Sequence, residues 1–310
     1  MTYSPFRDST EILNSGDSLS ERLTEDGYLF IRGLIPRNDV LQVRSGLLNI
    51  ANEYGWFDKN SPVTEGVANT SLDATTLRSA TMAAVNRMWC DEEVHRLRIH
   101  PNVLSLFERI FKEPALTHPK FTLRHFFPNL SPTDSHQDHV HVGGVKFCSM
   151  WVPLGDCPVD QGVLAIASKS HKEGVLKAKF AGMGIIDHPS WEWVTGTVNA
   201  GDVLIFTNTT VHKSLPNLTN KIRLSFDGRY QPASLPIANV SVIPAADSGC
   251  VEWEDVYKNW SSTSGQYYWK QFNLEVMGLD AMHYEVDYPV AFGRAKAGDN
   301  AMRDMLLRLI

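Results

Sequence analysis

The sequence runs to 310 residues, of which 43% are hydrophobic and 21% charged, with a formal net charge of −6. That composition excludes a disordered chain or a fibrous repeat. At this length most of the unfolded surface can be buried, so no metal or disulfide is needed merely to fold. A mildly acidic chain with no Lys/Arg block lacks the phosphate-neutralising surface of a nucleic-acid binder. No window approaches the ~18 apolar residues of a membrane span, and residues 1–16 lack the apolar core of a signal peptide. Cys90, Cys148, Cys157 and Cys250 form no CxxC pair, so the expectation is a cytoplasmic protein with reduced thiols.

Tyr28-Leu29-Phe30-Ile31 reads as a strand closed by Arg32-Gly33. Pro36 to Asn38 then open a helix whose apolar positions are Val40, Leu41, Val43, Leu47, Leu48 and Ala51. Residues 60–81 are small and polar and read as a long loop, a length at which connections often become binding elements or lids. A second helix follows Pro101, with Val103, Leu106, Phe107, Ile110 and Phe111 on one face and Pro114 past its end. From 121 to 232 the texture changes to short apolar runs at 121–127, 145–152, 162–167, 194–198, 203–207 and 222–230. Turn signals such as Gly155-Asp156, Gly201-Asp202 and Pro216-Asn217 separate them. Many short strands without helices between them predict an antiparallel sandwich or barrel. The tail is rich in aromatics, and Ala301, Met302, Met305, Leu306 and Leu309 fit an amphipathic helix over 300–310. With no repeat and no linker, the prediction is one domain: 1–120 as mostly helical support, 121–232 as the β core, and 233–310 as an extension serving as lid or homo-oligomer contact.

The richest segment is Ser135-His136-Gln137-Asp138-His139-Val140-His141. Taken alone, His-x-Asp describes a polar strand end with hydrogen-bonded histidines just as well. On an extended backbone, however, residues two apart point to one side, so His136 and Asp138 can offer an imidazole and a carboxylate to one point. His212, directly after the apolar run Val203-Leu-Ile-Phe206, supplies a third group. Two His and one carboxylate form the facial triad of non-haem iron(II) oxygenases, which leaves positions open for a chelating cosubstrate and O₂. Further on, Ile222, Leu224 and Phe226 alternate with Arg223, Ser225 and Asp227. One face of that strand therefore sets a guanidinium beside a hydroxyl. Pro216-Asn217 predicts a turn that makes this strand the antiparallel neighbour of the one bearing His212. A fork of positive charge near a metal suits a chelating dicarboxylate such as 2-oxoglutarate; a surface ion pair is the plainer reading of Arg223.

With these features in place the chain resembles the phytanoyl-CoA dioxygenase family of Fe(II)/2-oxoglutarate oxygenases. The resemblance runs from Asp26-Gly-Tyr-Leu-Phe-Ile-Arg-Gly-Leu-Ile-Pro36 to Arg229-Tyr-Gln-Pro232. Between them Trp151-Val-Pro-Leu-Gly-Asp156, Gly162-Val-Leu164, Ser170-His171-Lys172 and Gly201-Asp-Val-Leu-Ile-Phe206 fall in the family's order. The resemblance implies a mainly β fold with helical decorations, a double-stranded β-helix (jelly roll, cupin-like). It also implies Fe(II) held by His136, Asp138 and His212, and 2-oxoglutarate gripped by Arg223 with Ser225. Thr133 stands where related enzymes place a polar residue on the cosubstrate, whereas Leu164 cannot donate a hydrogen bond. His171 is expected to structure its loop.

The implied reaction is hydroxylation of an unactivated C–H of a small natural-product or amino-acid-like substrate, with O₂ consumed and succinate and CO₂ released. Related halogenases lack the carboxylate that Asp138 provides, which favours hydroxylation over chlorination; desaturation, epimerisation and ring closure use the same oxidant. Arg124, Phe126, His139, His141 and Trp151, with the 60–81 loop, are the candidate substrate pocket. For Phe126 and Trp151 a core role competes with that assignment, and His139 and His141 read equally as pocket, supporting or surface histidines. Two rivals remain: a cupin-type metal hydrolase or isomerase, which needs no Arg223 clamp, and a non-catalytic jelly-roll binding protein.

Overall fold

A computed structural model describes residues 2–71, 74–141, 146–178, 184–185, 187–245 and 248–277; the helix expected over 300–310 lies outside them. Two sheets face each other. The larger runs β2 (Tyr28–Ile31), β8 (Val203–Thr207), β5 (Cys148–Pro153), β10 (Arg223–Pro232), with both β3 (Ala115–Thr117) and β4 (Thr122–Phe126) on the outer edge of β10. The smaller runs β1 (Ser4–Pro5), β7 (Glu192–Thr195), β6 (Leu164–Ser168), β9 (His212–Ser214). Within these two sheets every strand pairing except β1–β7 is antiparallel.

Strand alternation sorts the larger sheet into two faces. Leu29, Ile31, Cys148, Met150, Val152, Val203, Ile205, Leu224, Phe226 and Tyr230 pack outward against the helices. Tyr28, Phe30, Trp151, Leu204 and Phe206 point inward, against Val163, Ile166, Val194 and Val211 of the smaller sheet's side. Because 2-residue periodicity holds along β10, Arg223, Ser225, Asp227 and Arg229 all share the inward face. That face carries the chemistry.

The outer layer consists of α1 (Gly16–Asp26), α2 (Arg37–Glu53), α3 (Ala74–Trp89), α4 (Glu92–Arg98) and α5 (Pro101–Phe111). α5 begins as its sequence dictates, with Pro101 in the first turn and His100 accepting the Asn102 N–H, and it stops at Lys112 in the left-handed region. The expected 60–81 loop is corrected. It holds a short 3₁₀ turn at Val63–Glu65, and its end already belongs to α3. The Ala/Thr/Ser run there has no apolar period to reveal a helix. In the described part of the extension, Ile237, Ala245, Trp253, Val256, Tyr257 and Trp269 are buried in the helix-side core. There Tyr268 accepts a hydrogen bond from the buried Arg98 guanidinium (2.9 Å). These residues buttress the helical layer from outside. No helix among the described residues is long and apolar enough to cross a membrane.

The motif around Asp26-Gly27 has a packing reason. Gly27 caps α1 at φ +81°, and a Cβ there would meet His171 Nδ1 at 2.4 Å and Thr210 Oγ1 at 2.8 Å. His171 Nε2–H donates to the Thr24 carbonyl (2.9 Å), and Thr210 Oγ1 donates to the Gly27 carbonyl (2.7 Å). Thus His171 structures its loop, as expected, and α1 clamps the 207–212 turn that delivers His212. Gly27→Ala is expected to lower stability by about 1–3 kcal/mol from the backbone conformation alone, with the clash added. Urea unfolding reads this directly, as a lower midpoint at an unchanged slope.

Candidate metal centre and cosubstrate clamp

His136, Asp138 and His212 are all buried, and their ligating atoms lie within 4.8 Å of one another. Three separate pieces of backbone deliver them. His136 and His212 face each other in an isolated antiparallel bridge, each N–H donating to the other's carbonyl at 3.0 Å. Asp138 opens a 3₁₀ turn, Asp138–His141. This corrects the expectation of a continuous extended His-x-Asp: the chain leaves the strand conformation at the carboxylate itself. The His139 N–H anchors that turn on the Asn208 carbonyl (2.8 Å).

The imidazoles are oriented before any metal arrives. His136 Nδ1–H donates to the Asp134 carbonyl (2.8 Å) and His212 Nδ1–H to the Thr210 carbonyl (3.1 Å). A carbonyl can only accept, so both Nδ1 atoms carry the proton and both Nε2 lone pairs are available. Those Nε2 atoms stand 3.8 and 3.9 Å from Asp138 Oδ1. Bonds of ~2.1 Å to a divalent ion put neighbouring octahedral ligands roughly 3 Å apart, so each imidazole need close on the carboxylate by only about 1 Å. The second carboxylate oxygen, Oδ2, accepts a hydrogen bond from Ser149 Oγ, which leaves Oδ1 facing the histidines. Phe206 packs its ring 4.3 Å from that of His212. Two imidazoles and one carboxylate, with Asp138 restrained on its far oxygen, fit an octahedral metal with open positions.

Ser149 was not among the residues singled out in the sequence. Its one signal was a lone hydroxyl inside the buried run Cys-Ser-Met-Trp-Val-Pro. Outer-shell partners of this kind are typically worth 10–100-fold in metal affinity. Ser149→Ala is expected to cost about that factor in an anaerobic Fe(II) titration, with little change in 2-oxoglutarate affinity once metal is saturating.

Arg223 is buried on the inward face of β10, and Ser225 accepts a hydrogen bond from its Nη1 (3.0 Å). Trp151 Nε1 donates to the same hydroxyl (3.1 Å). The rings of Phe126 and Trp151 lie 5.2 and 5.5 Å from the guanidinium carbon. Burial pulls the Arg223 pKa down, and its Nε has no hydrogen-bond partner. Among the described residues no carboxylate ion-pairs with it; the nearby Asp227 is taken by Arg124 at 2.6 Å. A buried cation with open donors calls for an anion, and a carboxylate from outside the protein fits. The surface-ion-pair alternative is therefore removed. So is the expectation that β9 and β10 are neighbours, since they lie in opposite sheets. The chain crosses between the sheets at Asn217, whose Nδ2 donates to the Phe126 and Lys221 carbonyls (2.9 and 2.8 Å).

The candidate pocket residues divide. Phe126 and Trp151 are buried walls of the guanidinium site, because their strands set them on the face of Arg223. Arg124 shares that face but is tied to Asp227. His139 is placed by its backbone beside the metal cluster, while the side chain of His141 lies outside the described residues. The Thr133 N–H donates to Ser214 Oγ (2.7 Å), and the Ser214 N–H, on the strand of His212, donates to the Thr133 carbonyl (3.3 Å). Gln137, between the two ligands, turns away: it donates to the Gly174 and Thr209 carbonyls and accepts the Leu176 N–H. A cavity of about 590 Å³, lined in part by Arg37, Glu65, Asp156 and Lys221, shares no residue with the metal cluster. Its charges are matched internally through Arg37–Asp156 and Lys221–Glu65.

The family model for phytanoyl-CoA dioxygenase matches residues 23–225, which spans the cluster and the clamp. The chain belongs to the phytanoyl-CoA dioxygenase family. It is 30% identical over 262 residues to the 1-deoxypentalenic acid 11-beta-hydroxylase of Streptomyces arenae, covering 75% of this chain and 87% of that protein. The Streptomyces exfoliatus enzyme of the same name is 30% identical over 260 residues, with the same coverage. Among solved structures, the epimerase SnoN, in complex with Fe3+, alpha ketoglutarate and nogalamycin RO, superposes with a TM-score of 0.54 at 19% identity. That match covers 72% of this chain and 85% of SnoN. The carbocyclase SnoK matches at 0.50 and 19% identity over 75% and 89% of the two chains. At these identities the two structures speak for the fold, the jelly roll expected from the sequence. As a phytanoyl-CoA dioxygenase family member the chain is an Fe(II)/2-oxoglutarate-dependent oxygenase.

Proposed function

We propose that this oxygenase hydroxylates a small organic substrate of natural-product type, with His136, Asp138 and His212 as the iron ligands and Arg223, helped by Ser225, as the clamp on 2-oxoglutarate. The observation that carries the reading is the buried guanidinium of Arg223, held by Ser225 and two aromatic rings and left without an anion, in the same sheet as the strand whose Ser149 restrains Asp138. When bound, Fe(II) would supply O₂ activation coupled to decarboxylation of 2-oxoglutarate to succinate. The chain's own residues bind, orient and exclude water. Nδ1–H donation to backbone carbonyls keeps both Nε2 atoms basic and aimed. Ser149 keeps Asp138 presenting one oxygen. Phe126 and Trp151 keep water from the guanidinium, so its grip on a carboxylate acts in a low-dielectric setting. The hydroxyl of Thr133, beside Ser214, is available to the cosubstrate. The curated relatives are named as hydroxylases of 1-deoxypentalenic acid, which supports hydroxylation of a compound of that general kind.

Anaerobic loading with Fe(II), followed by O₂ and 2-oxoglutarate, tests the reading through succinate. Wild type is expected to form succinate and, with a productive substrate, a product heavier by one oxygen; His136→Ala is expected to form neither. A protein that makes no succinate across a broad metabolite panel is no oxygenase of this kind. Activity on a substrate that persists undiminished in Arg223→Ala points instead to a cupin-type hydrolase or isomerase.

A further inference from the structure

β10 carries a second inward arginine that the cosubstrate does not use. Arg229 lies in register opposite Ser149, the residue whose hydroxyl binds Asp138. Directly opposed residues bring their Cβ atoms to about 4.5–5.5 Å, so the Arg229 side chain starts one strand away from the metal cluster, on the same face. It is half-buried. Among the described residues it has no ion pair and no side-chain hydrogen bond; its guanidinium carbon lies 5.6 Å from the ring centre of Phe147. The next inward carboxylate along the strand, Asp227, is occupied by Arg124. Beside Arg229, His118 is fully buried and packs its ring 5.6 Å from that of Phe147. Burial, and then the Arg229 charge, push the His118 pKa down to about 3, so the imidazole is neutral and Arg229 is the cation of this end. His118 Nε2–H donates to Gln231 Oε1 (2.8 Å), and its Nδ1 is a buried acceptor without a partner.

Six residues separate Arg223 from Arg229, about 20 Å along a strand, several times the length of 2-oxoglutarate. The two guanidiniums therefore serve two different anions. We propose that Arg229, walled by Phe147 and His118, anchors a carboxylate of the substrate, so that the preferred substrate is a compact apolar molecule bearing one carboxylate. The inference rests on the oxygenase reading for its substrate, and it assigns to Arg229 the part of selectivity that the metal and Arg223 leave open.

The test uses the full chain loaded with Fe(II) and 2-oxoglutarate under anaerobic conditions. The probes are cyclohexanecarboxylate, 1-adamantanecarboxylate and 1-deoxypentalenic acid, each against its primary amide, and binding is read by calorimetry. Wild type is expected to bind at least one acid tenfold or more tighter than its amide. Arg229→Gln is expected to bring acid and amide within twofold while the dissociation constant of 2-oxoglutarate moves less than twofold; Arg229→Lys is expected to restore part of the preference. Urea unfolding of Arg229→Gln checks that the fold is intact. Equal binding of acids and amides by wild type overturns the proposal, as does failure to bind any of the acids. A Gln variant that loses 2-oxoglutarate affinity as well makes Arg229 a cosubstrate residue and also overturns it. Acid preference without succinate formation in air leaves the subsite standing while the oxygenase reading falls, and succinate driven equally by acids and amides does the reverse.

Discussion

Asp138→Ala is expected to abolish turnover and to weaken Fe(II) binding by more than the 10–100-fold typical of losing an outer-shell partner. The carboxylate is the one anionic ligand between two neutral imidazoles, and its Oδ1 is the atom from which both Nε2 distances, 3.8 and 3.9 Å, are measured. Alanine leaves two imidazoles on one bridge, still fixed by the Asp134 and Thr210 carbonyls, with the third corner empty. Anaerobic metal titration followed by a succinate assay measures both losses. Adding Fe(II) in large excess separates them. Turnover that returns to the wild-type rate at saturating metal would show that Asp138 merely raises occupancy. The expected outcome is no recovery, because the carboxylate also fixes which positions around the metal stay open. Asp138→Glu is a sharper probe: Ser149 Oγ already binds Oδ2, so an added methylene moves the ligating oxygen out of the place that this hydrogen bond sets. Its affinity should fall between wild type and Ala.

The three proposed ligands are legible because spacing and flanking strands constrain them: His136 and Asp138 sit two apart, and His212 follows an apolar run that forms β8 with the expected bounds. β8 is readable because Gly201-Asp202 opens it and its first four residues, Val203 to Phe206, are all apolar. The turn at Asp138 was not readable, since a 3₁₀ turn of polar residues has no periodicity to betray it; tertiary anchors, Ser149 and the Asn208 carbonyl, set it. The same holds for α3, whose small residues match no apolar stripe, and for β9, three residues long and defined by pairing with β6. Alternation placed Arg223 and Ser225 on one face correctly, yet it could not say which sheet the strand joined. That depended on Asn217 turning the chain across the sandwich. In the sequence Phe126 and Trp151 are candidate pocket residues with a core role competing, and the packing sets their rings beside the Arg223 guanidinium. Carried two residues past Asp227, the same alternation reaches Arg229, but nothing local marks that residue as one without an ion pair among the described residues.

Arg223→Met is expected to separate binding from folding more cleanly than any other substitution in this chain. Truncating one partner of a buried, hydrogen-bonded charge pair costs about 2–5 kcal/mol, so 2-oxoglutarate affinity should fall roughly 30- to several-thousand-fold. Without cosubstrate the sign reverses. Among the described residues the guanidinium is buried, hydrogen-bonded to Ser225 and without a counter-ion. Replacing such a charge by an apolar side chain of similar length is commonly neutral or stabilising, and Phe126 and Trp151 offer the thioether a packed apolar wall. The unfolding temperature of the ligand-free variant is therefore expected to equal or exceed that of wild type. Ligand linkage then discriminates. At 100 times the dissociation constant, 2-oxoglutarate stabilises the metal-loaded wild type by about 2.7 kcal/mol, and the same concentration should stabilise Arg223→Met by no more than about 0.9 kcal/mol. A variant that unfolds early without ligand, yet still gains stability from 2-oxoglutarate, would make Arg223 a strut of the sandwich and return the clamp to another residue. Arg223→Lys should keep the charge but lose the fork, recovering only part of the affinity, because an ammonium cannot give parallel donors to a carboxylate while also reaching Ser225.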